Sequence, residues 1–139
     1  MAYATEANLT ARFGAEEVGN VADRDGDGSN DTDAVTNALA DASNLIDSFI
    51  GERYDLPLSS PPDILEHCCS DIAMYYLGDA ADRYDEERKT RFNRWYSWLG
   101  KIAAGKVSLT TPELASNSEA VLTNYPNDRI FTRTYMRRF

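Results

Sequence analysis

The stretch Ala38-Leu39-Ala40-Asp41-Ala42-Ser43-Asn44-Leu45-Ile46-Asp47-Ser48-Phe49-Ile50 decides the fold. Its apolar residues Ala38, Leu39, Ala42, Leu45, Ile46, Phe49 and Ile50 fall at three- and four-residue steps, the period of one face of an α-helix. Asp31, Thr32 and Asp33 just before it supply a cap and complement the helix dipole. Gly51 lies near its end. The spacing therefore predicts a helix from about Asp33 to Glu52.

The chain on either side reads the same way. Toward the N-terminus, Thr5 caps a helix from Glu6 to about Phe13, with Leu9 and Phe13 on one stripe, and Gly14 ends it. A short acidic turn of helix, Ala15 to Val18, follows. Toward the C-terminus, Pro57, Pro61 and Pro62 make Tyr54 to Pro62 an extended connector. A third helix starts at Pro62 or Asp63, where proline suits a first turn. Its expected apolar positions are Ile64, Leu65, Cys68, Ile72, Tyr75, Tyr76 and Leu77. A fourth runs from about Glu86 to Ala104, with Phe92, Trp95, Tyr96, Trp98, Leu99 and Ile102, and Gly105 stops it. After Lys106 the texture turns to Ser, Thr, Asn and Pro. The expectation is an all-α protein: residues 1–106 form a bundle of three to four helices, and residues 107–139 form an extended C-terminal arm.

With 139 residues the chain suits one domain. It has no apolar run of about 18 residues, so no membrane partner is expected. Met1 to Gly14 lacks the charged-then-apolar layout of a signal peptide, so synthesis and retention in the cytoplasm are expected. The net charge of −9 is uneven: residues 1–61 carry 12 acids and 3 bases, whereas residues 107–139 carry 3 acids and 4 bases. An acidic body repels nucleic-acid phosphates. The arm ends in an arginine- and aromatic-rich run whose Tyr125, Arg129, Ile130, Phe131, Arg133, Tyr135, Arg137, Arg138 and Phe139 read as a docking segment, since Arg, Tyr and Phe anchor interfaces.

No enzyme is expected. The chain has no GxSxG, no phosphate-binding GxxxxGKS/T and no GxGxxG. His67 is the only histidine, and as a sequence neighbour of Cys68 it points to a different helix face, which makes a poor nucleophile–base pair. Cys68 and Cys69 are adjacent, so they form no ordinary disulfide, and no zinc spacing surrounds them. They read as reduced thiols, at least one in the core. Trp95 and Trp98 share a helix face, either as core or as an anchor for a neighbouring subunit.

The sharpest local motif is Asp23-Arg24-Asp25-Gly26-Asp27-Gly28-Ser29-Asn30-Asp31. No cofactor is required, but Ca²⁺ fits its chemistry, because aspartates at every second position can surround a hard cation that takes six to eight oxygens. Asp23, Asp25, Asp27, the Ser29 carbonyl and Asp31 stand at the oxygen positions of the first half of an EF-hand loop. The second half departs from it: the position for a bidentate glutamate holds Ala34, and Asp33 sits one residue early. Clustered carboxylates repel one another, which favours a cation. The alternative is an aspartate-rich turn that caps the next helix.

Several segments together resemble the Mu-like phage and prophage family of small virion proteins. They are Met1-Ala2-Tyr3-Ala4-Thr5 with Leu9 and Arg12-Phe13-Gly14; Asp23 to Gly28 followed by Ala38 to Ser43 and Ile46-Asp47; Arg53-Tyr54-Asp55-Leu56-Pro57-Leu58; and Arg129-Ile130-Phe131-Thr132-Arg133 closing on Arg138-Phe139. Ser29 and Asn30 depart from the pattern, where apolar residues are expected, which weakens the loop's packing and its metal affinity. The resemblance implies a head-to-tail adaptor in the virion neck, made in the host cytoplasm. It also implies a ring of copies, usually twelvefold, whose arms engage the portal protein above a tail-proximal neck protein. DNA would only pass through the channel, past an acidic wall that does not hold it. A strand-rich tail-completion or terminator protein and a calcium-dependent binding module are the competing readings.

Overall fold

The computed structural model describes residues 2–110. They form five helices: α1 (Glu6–Phe13), α2 (Ala15–Ala22), α3 (Thr32–Ile50), α4 (Asp63–Ala80) and α5 (Glu86–Ala103). The all-α expectation holds, with one more full helix than expected. Of the arm expected over residues 107–139, only residues 107–110 are among those described.

Helix α1 starts at a capping box. The Thr5 hydroxyl accepts from the Asn8 N–H, and the Asn8 side chain accepts from the Thr5 N–H at 2.8 Å. Gly14 joins α1 to α2 at φ 87° and ψ 149°, a conformation that glycine alone takes without strain. Helix α2 was expected to stop at Val18 but continues to Ala22. Local propensity does not explain this, since Gly19 sits inside it. Burial does: Val18, Val21 and Ala22 are fully buried at helical spacing, and that apolar face needs an ordered helix to be covered.

Helix α3 starts one residue before and ends two residues before its expected bounds. Ala38, Leu39, Ala42, Ile46 and Ile50 are buried, while Leu45 and Phe49 pack at the flank of the core. Asp31 is the N-cap residue, but its carboxylate makes no cap hydrogen bond. It accepts instead from the Arg24 N–H at 3.1 Å, while the Asp31 N–H donates to the Ala22 carbonyl at 3.0 Å. The residue closes the loop behind it rather than the helix ahead.

Helix α4 is the centre of the fold. Every residue from Cys68 to Met74 is buried, so the helix is surrounded and has no solvent face there. A one-sided stripe was therefore the wrong pattern for it. Ile64, expected inside, is 40% exposed, and Tyr75 and Tyr76 are half-buried. Gly78 does not end the helix; a Cβ there would come within 3.3 Å of the Arg83 carbonyl oxygen and 3.1 Å of the Arg88 guanidinium, so its bareness lets α5 close on α4.

The helix directions follow from side-chain pairs. Ser43 Oγ lies 3.5 Å from Cys69 Sγ across α3 and α4, and the rings of Tyr75 and Phe92 stack at 4.4 Å across α4 and α5. Helix α4 meets α5 in reverse order, Asp71 with Trp95 and Tyr75 with Phe92, so these two are antiparallel. Helix α3 meets α5 in the same order, Phe49 edge-on to Tyr96 at 5.2 Å and Arg53, just past α3, donating to the Ile102 carbonyl at 3.4 Å, so α3 and α5 run parallel. The connector between α3 and α4 contains a cis Leu56–Pro57 bond. Its Tyr54 is buried and accepts the Leu109 N–H at 2.7 Å. Val107 and Leu109 thus still pack on the body.

Two helices end in Schellman turns. After α5 the Lys106 N–H donates to the Lys101 carbonyl at 2.8 Å around Gly105, at φ 73°, as expected of that glycine. After α4 the Arg83 N–H donates to the Gly78 carbonyl at 2.8 Å, but the left-handed residue is Asp82, at φ 53°. A Cβ is strained there, and a carboxylate faces the negative end of the helix dipole. Asp82→Gly is expected to stabilise the fold by about 0.5–1 kcal/mol, read as a rise in Tm of a few degrees. An unchanged or lower Tm would show that Asp82 holds a contact worth more than the strain.

Candidate functional site

The aspartate loop is held by its own backbone. Asp23 Oδ1 accepts from the Gly26 N–H at 2.7 Å and Oδ2 from the Gly28 N–H at 3.0 Å. Asp25 accepts from the Asp27 N–H at 3.1 Å, and Asp27 from the Ser29 N–H at 2.7 Å. The N–H groups of Gly28 and Gly26 hold the Asp23 carboxyl below the ordinary carboxylate range, because they bond only the charged form well.

One oxygen from each of Asp23, Asp25 and Asp27 lies within 4.8 Å of the others. That trio matches the first three expected calcium ligands. Asp31 is not part of it, being turned to Arg24, and Ala34, at the glutamate position, is buried against the core. Three carboxylates, one with both oxygens already bonded, fall short of calcium's shell. A calcium titration with an EGTA control is expected to raise Tm only in the millimolar range, as mass action requires of a weak site. A shift at micromolar calcium would mean that a fuller ligand set closes around the ion.

A second polar cluster went unrecognised in the sequence. Asp71, in the buried run of α4, is only 5% exposed. Its two oxygens accept from Arg12 Nε and Nη2, each at 3.2 Å, and Oδ2 also accepts the indole N–H of Trp95 at 2.6 Å. Arg12 Nη1 lies 2.9 Å from His67 Nδ1; arginine only donates, so that nitrogen carries the lone pair. One carboxylate thus ties α1, α4 and α5 together, and His67 serves the tie. No sequence spacing announces it, because the partners lie 59 and 24 residues away from Asp71. The only hint was an acid in the middle of an apolar helix.

Trp95 and Trp98 do share a face, edge-on at 5.4 Å, and both are half-buried. Tyr96 points elsewhere and is 49% exposed. Cys68 and Cys69 are both free and buried. Burial pushes both thiols up, which keeps them protonated and unreactive. Tyr3, which donates to Asp47, is likewise pushed up by burial and by that carboxylate, so the N-terminal segment packs onto α3 with a neutral phenol. The expected docking residues Tyr125, Arg129, Ile130, Phe131, Arg133, Tyr135, Arg137, Arg138 and Phe139 lie outside the described residues.

Residues 3–123 match the model of the family described as Bacteriophage Mu, Gp36. The chain belongs to the Gp36 family. It is similar to the "Mu-like prophage FluMu protein gp36" of Haemophilus influenzae, at 35% identity over 107 residues, 77% of this chain and 74% of the relative. It is also similar to "Gene product J" of Escherichia phage Mu, at 31% identity over 121 residues, 86% of this chain and 82% of the relative. This makes it a phage protein. The Gp36 match takes in the aspartate loop and the Arg12–Asp71–Trp95 tie, and ends before the arginine-rich run from Arg129. Among the described residues, no helix is long and apolar enough to cross a membrane.

Proposed function

We propose that this Gp36-family protein is a structural, non-enzymatic head-to-tail adaptor of the phage neck. The observation that carries the reading is Gp36 membership of an acidic chain whose described residues form a helical body. A strand-rich terminator fits less well, since the described residues hold five helices and no strand. In this reading copies form a closed ring between the portal and the next neck protein, and the virion holds the protein there. The acidic body faces passing DNA without binding it. The arginine and aromatic residues of the arm bind the portal.

Two experiments test this. Phage lacking the protein is expected to give filled heads and free tails that do not join; joined particles would overturn the adaptor reading. Deleting residues 125–139 is expected to leave the far-UV circular dichroism and Tm of the body unchanged while abolishing portal binding. A truncated chain that still binds portals would remove the role given to the arm.

A further inference from the structure

The body carries two surfaces of opposite charge on different elements. The first is a stripe along α5. Arg91, Arg94, Trp98 and Lys101 recur at steps of three and four residues, so they share a flank of the helix. Arg94 and Lys101 are exposed, and Arg91 and Trp98 are half-buried. The Arg91 guanidinium lies 5.4 Å from the centre of the Phe13 ring, and Trp98 is braced edge-on by Trp95. The stripe is thus anchored and preorganised. Among the described residues no ion pair reaches Arg94 or Lys101. Arg and Trp held on a rigid helix, half in and half out of solvent, are the residue types that dominate protein interfaces.

The second surface is the α2–loop–α3 start. Asp25, Asp27 and Asp33 are exposed there, and no ion pair among the described residues reaches them. The Arg91 end of the stripe sits against the first helices, where Arg91 covers Phe13 and Arg88 pairs with Glu17 at 3.6 Å, but its Lys101 end lies far from Asp33. Helices α3 and α5 run parallel, with Phe49 beside Tyr96. Asp33, well before Phe49 on α3, lies about 24 Å to one side of that level, and Lys101, past Tyr96 on α5, lies about 7 Å to the other. That separation is several times the screening length of about 8 Å at physiological salt.

We propose that the α5 stripe docks onto the acidic α2–loop–α3 start of a second copy of this chain, head to tail. The occupant follows from charge complementarity: each copy exposes Arg94 and Lys101 on one element and Asp25, Asp27 and Asp33 on another, none of them in an ion pair among the described residues. Such a contact joins one patch to a different patch, the heterologous type that closes into rings. This inference rests on the ring in the adaptor reading and names its faces. Nucleic acid is the poorer occupant of the stripe, because the rest of the chain repels phosphates.

The test uses the full chain at millimolar concentration, with labelled and unlabelled copies mixed, and a carbodiimide that joins a lysine amine to a carboxylate it touches. Intermolecular links from Lys101 to Asp25, Asp27 or Asp33 are expected. Arg94→Glu with Lys101→Glu, and separately Asp25→Lys with Asp27→Lys, are each expected to weaken self-association in sedimentation by about tenfold or more. An equal mixture of the two variants regains pairing, since each contributes one intact half. Circular dichroism checks that both remain folded. Wild-type chain without such links, or variants that associate as well as wild type, overturn the proposal. So does DNA binding that is lost with the stripe. Portal binding by a chain that shows no such link overturns this contact alone; a linked chain that fails to bind portal overturns the adaptor reading instead.

Discussion

Arg12→Ala is expected to lower the unfolding free energy by about 2–3 kcal/mol, far more than a surface substitution should. Removing one partner of a buried ion pair typically costs about 3–5 kcal/mol, because the other charge stays buried without compensation. The value here is set lower because the Arg12 side chain is 34% exposed, whereas that of Asp71 is 4% exposed, and water partly screens the guanidinium. After the substitution Asp71 keeps only the Trp95 indole among the partners described above. The asymmetry makes the test sharp. In the double variant Arg12→Ala, Asp71→Ala the stranded charge is gone, so its loss should fall short of the sum of the two single losses by about 1–2 kcal/mol. Urea unfolding of all four proteins gives the cycle, and tryptophan fluorescence in a Trp98→Phe background reports the environment of Trp95. An Arg12→Ala midpoint matching wild type would show that the tie contributes nothing to stability.

The second large effect lies a few residues away. Ile72→Ala is expected to cost about 3–4 kcal/mol, within the range for a fully buried isoleucine that leaves a cavity. Ile72 has no exposure, and it sits in the run of α4 enclosed on every side, so no neighbour can swing in from solvent to fill the gap. Against a total stability of about 5–15 kcal/mol, such a loss brings the domain near unfolding at moderate temperature. Ile64→Ala, on the same helix at 40% exposure, is expected to cost under about 0.5 kcal/mol. The sequence stripe treated the two residues alike, so measuring both in one urea series separates the structural account from the periodic one. Equal losses would mean that Ile64 is covered in solution, by another copy or by the arm.

That pair also marks where periodicity stops being informative. On α3, half-buried against the body, the apolar spacing named the inward face correctly, because a helix with one wet side must sort its residues by period. Thr5, Gly14 and Gly105 were legible for an equally local reason: caps and left-handed turns depend on a residue and its near neighbours. The aspartate loop was legible as a cluster of Asp23, Asp25 and Asp27, since their alternation alone brings the carboxylates together. Its closure was not, because Asp31 turns back to Arg24 instead of capping α3.

By itself, then, the sequence determined the helical class, the ends of most helices, the acidic character of the first half and the arginine-rich chemistry of the last residues. All of these follow from local propensity, period or composition, which act within a few residues. Only the tertiary structure decided that α4 is enclosed, that α2 reaches Ala22, and that Asp71 joins Arg12 to Trp95. It also left Arg94 and Lys101 of α5 exposed without an ion pair among the described residues. Those outcomes depend on which surfaces bury one another across dozens of residues. Where a helix is enclosed on all sides, as α4 is from Cys68 to Met74, burial leaves no one-sided period in the chain.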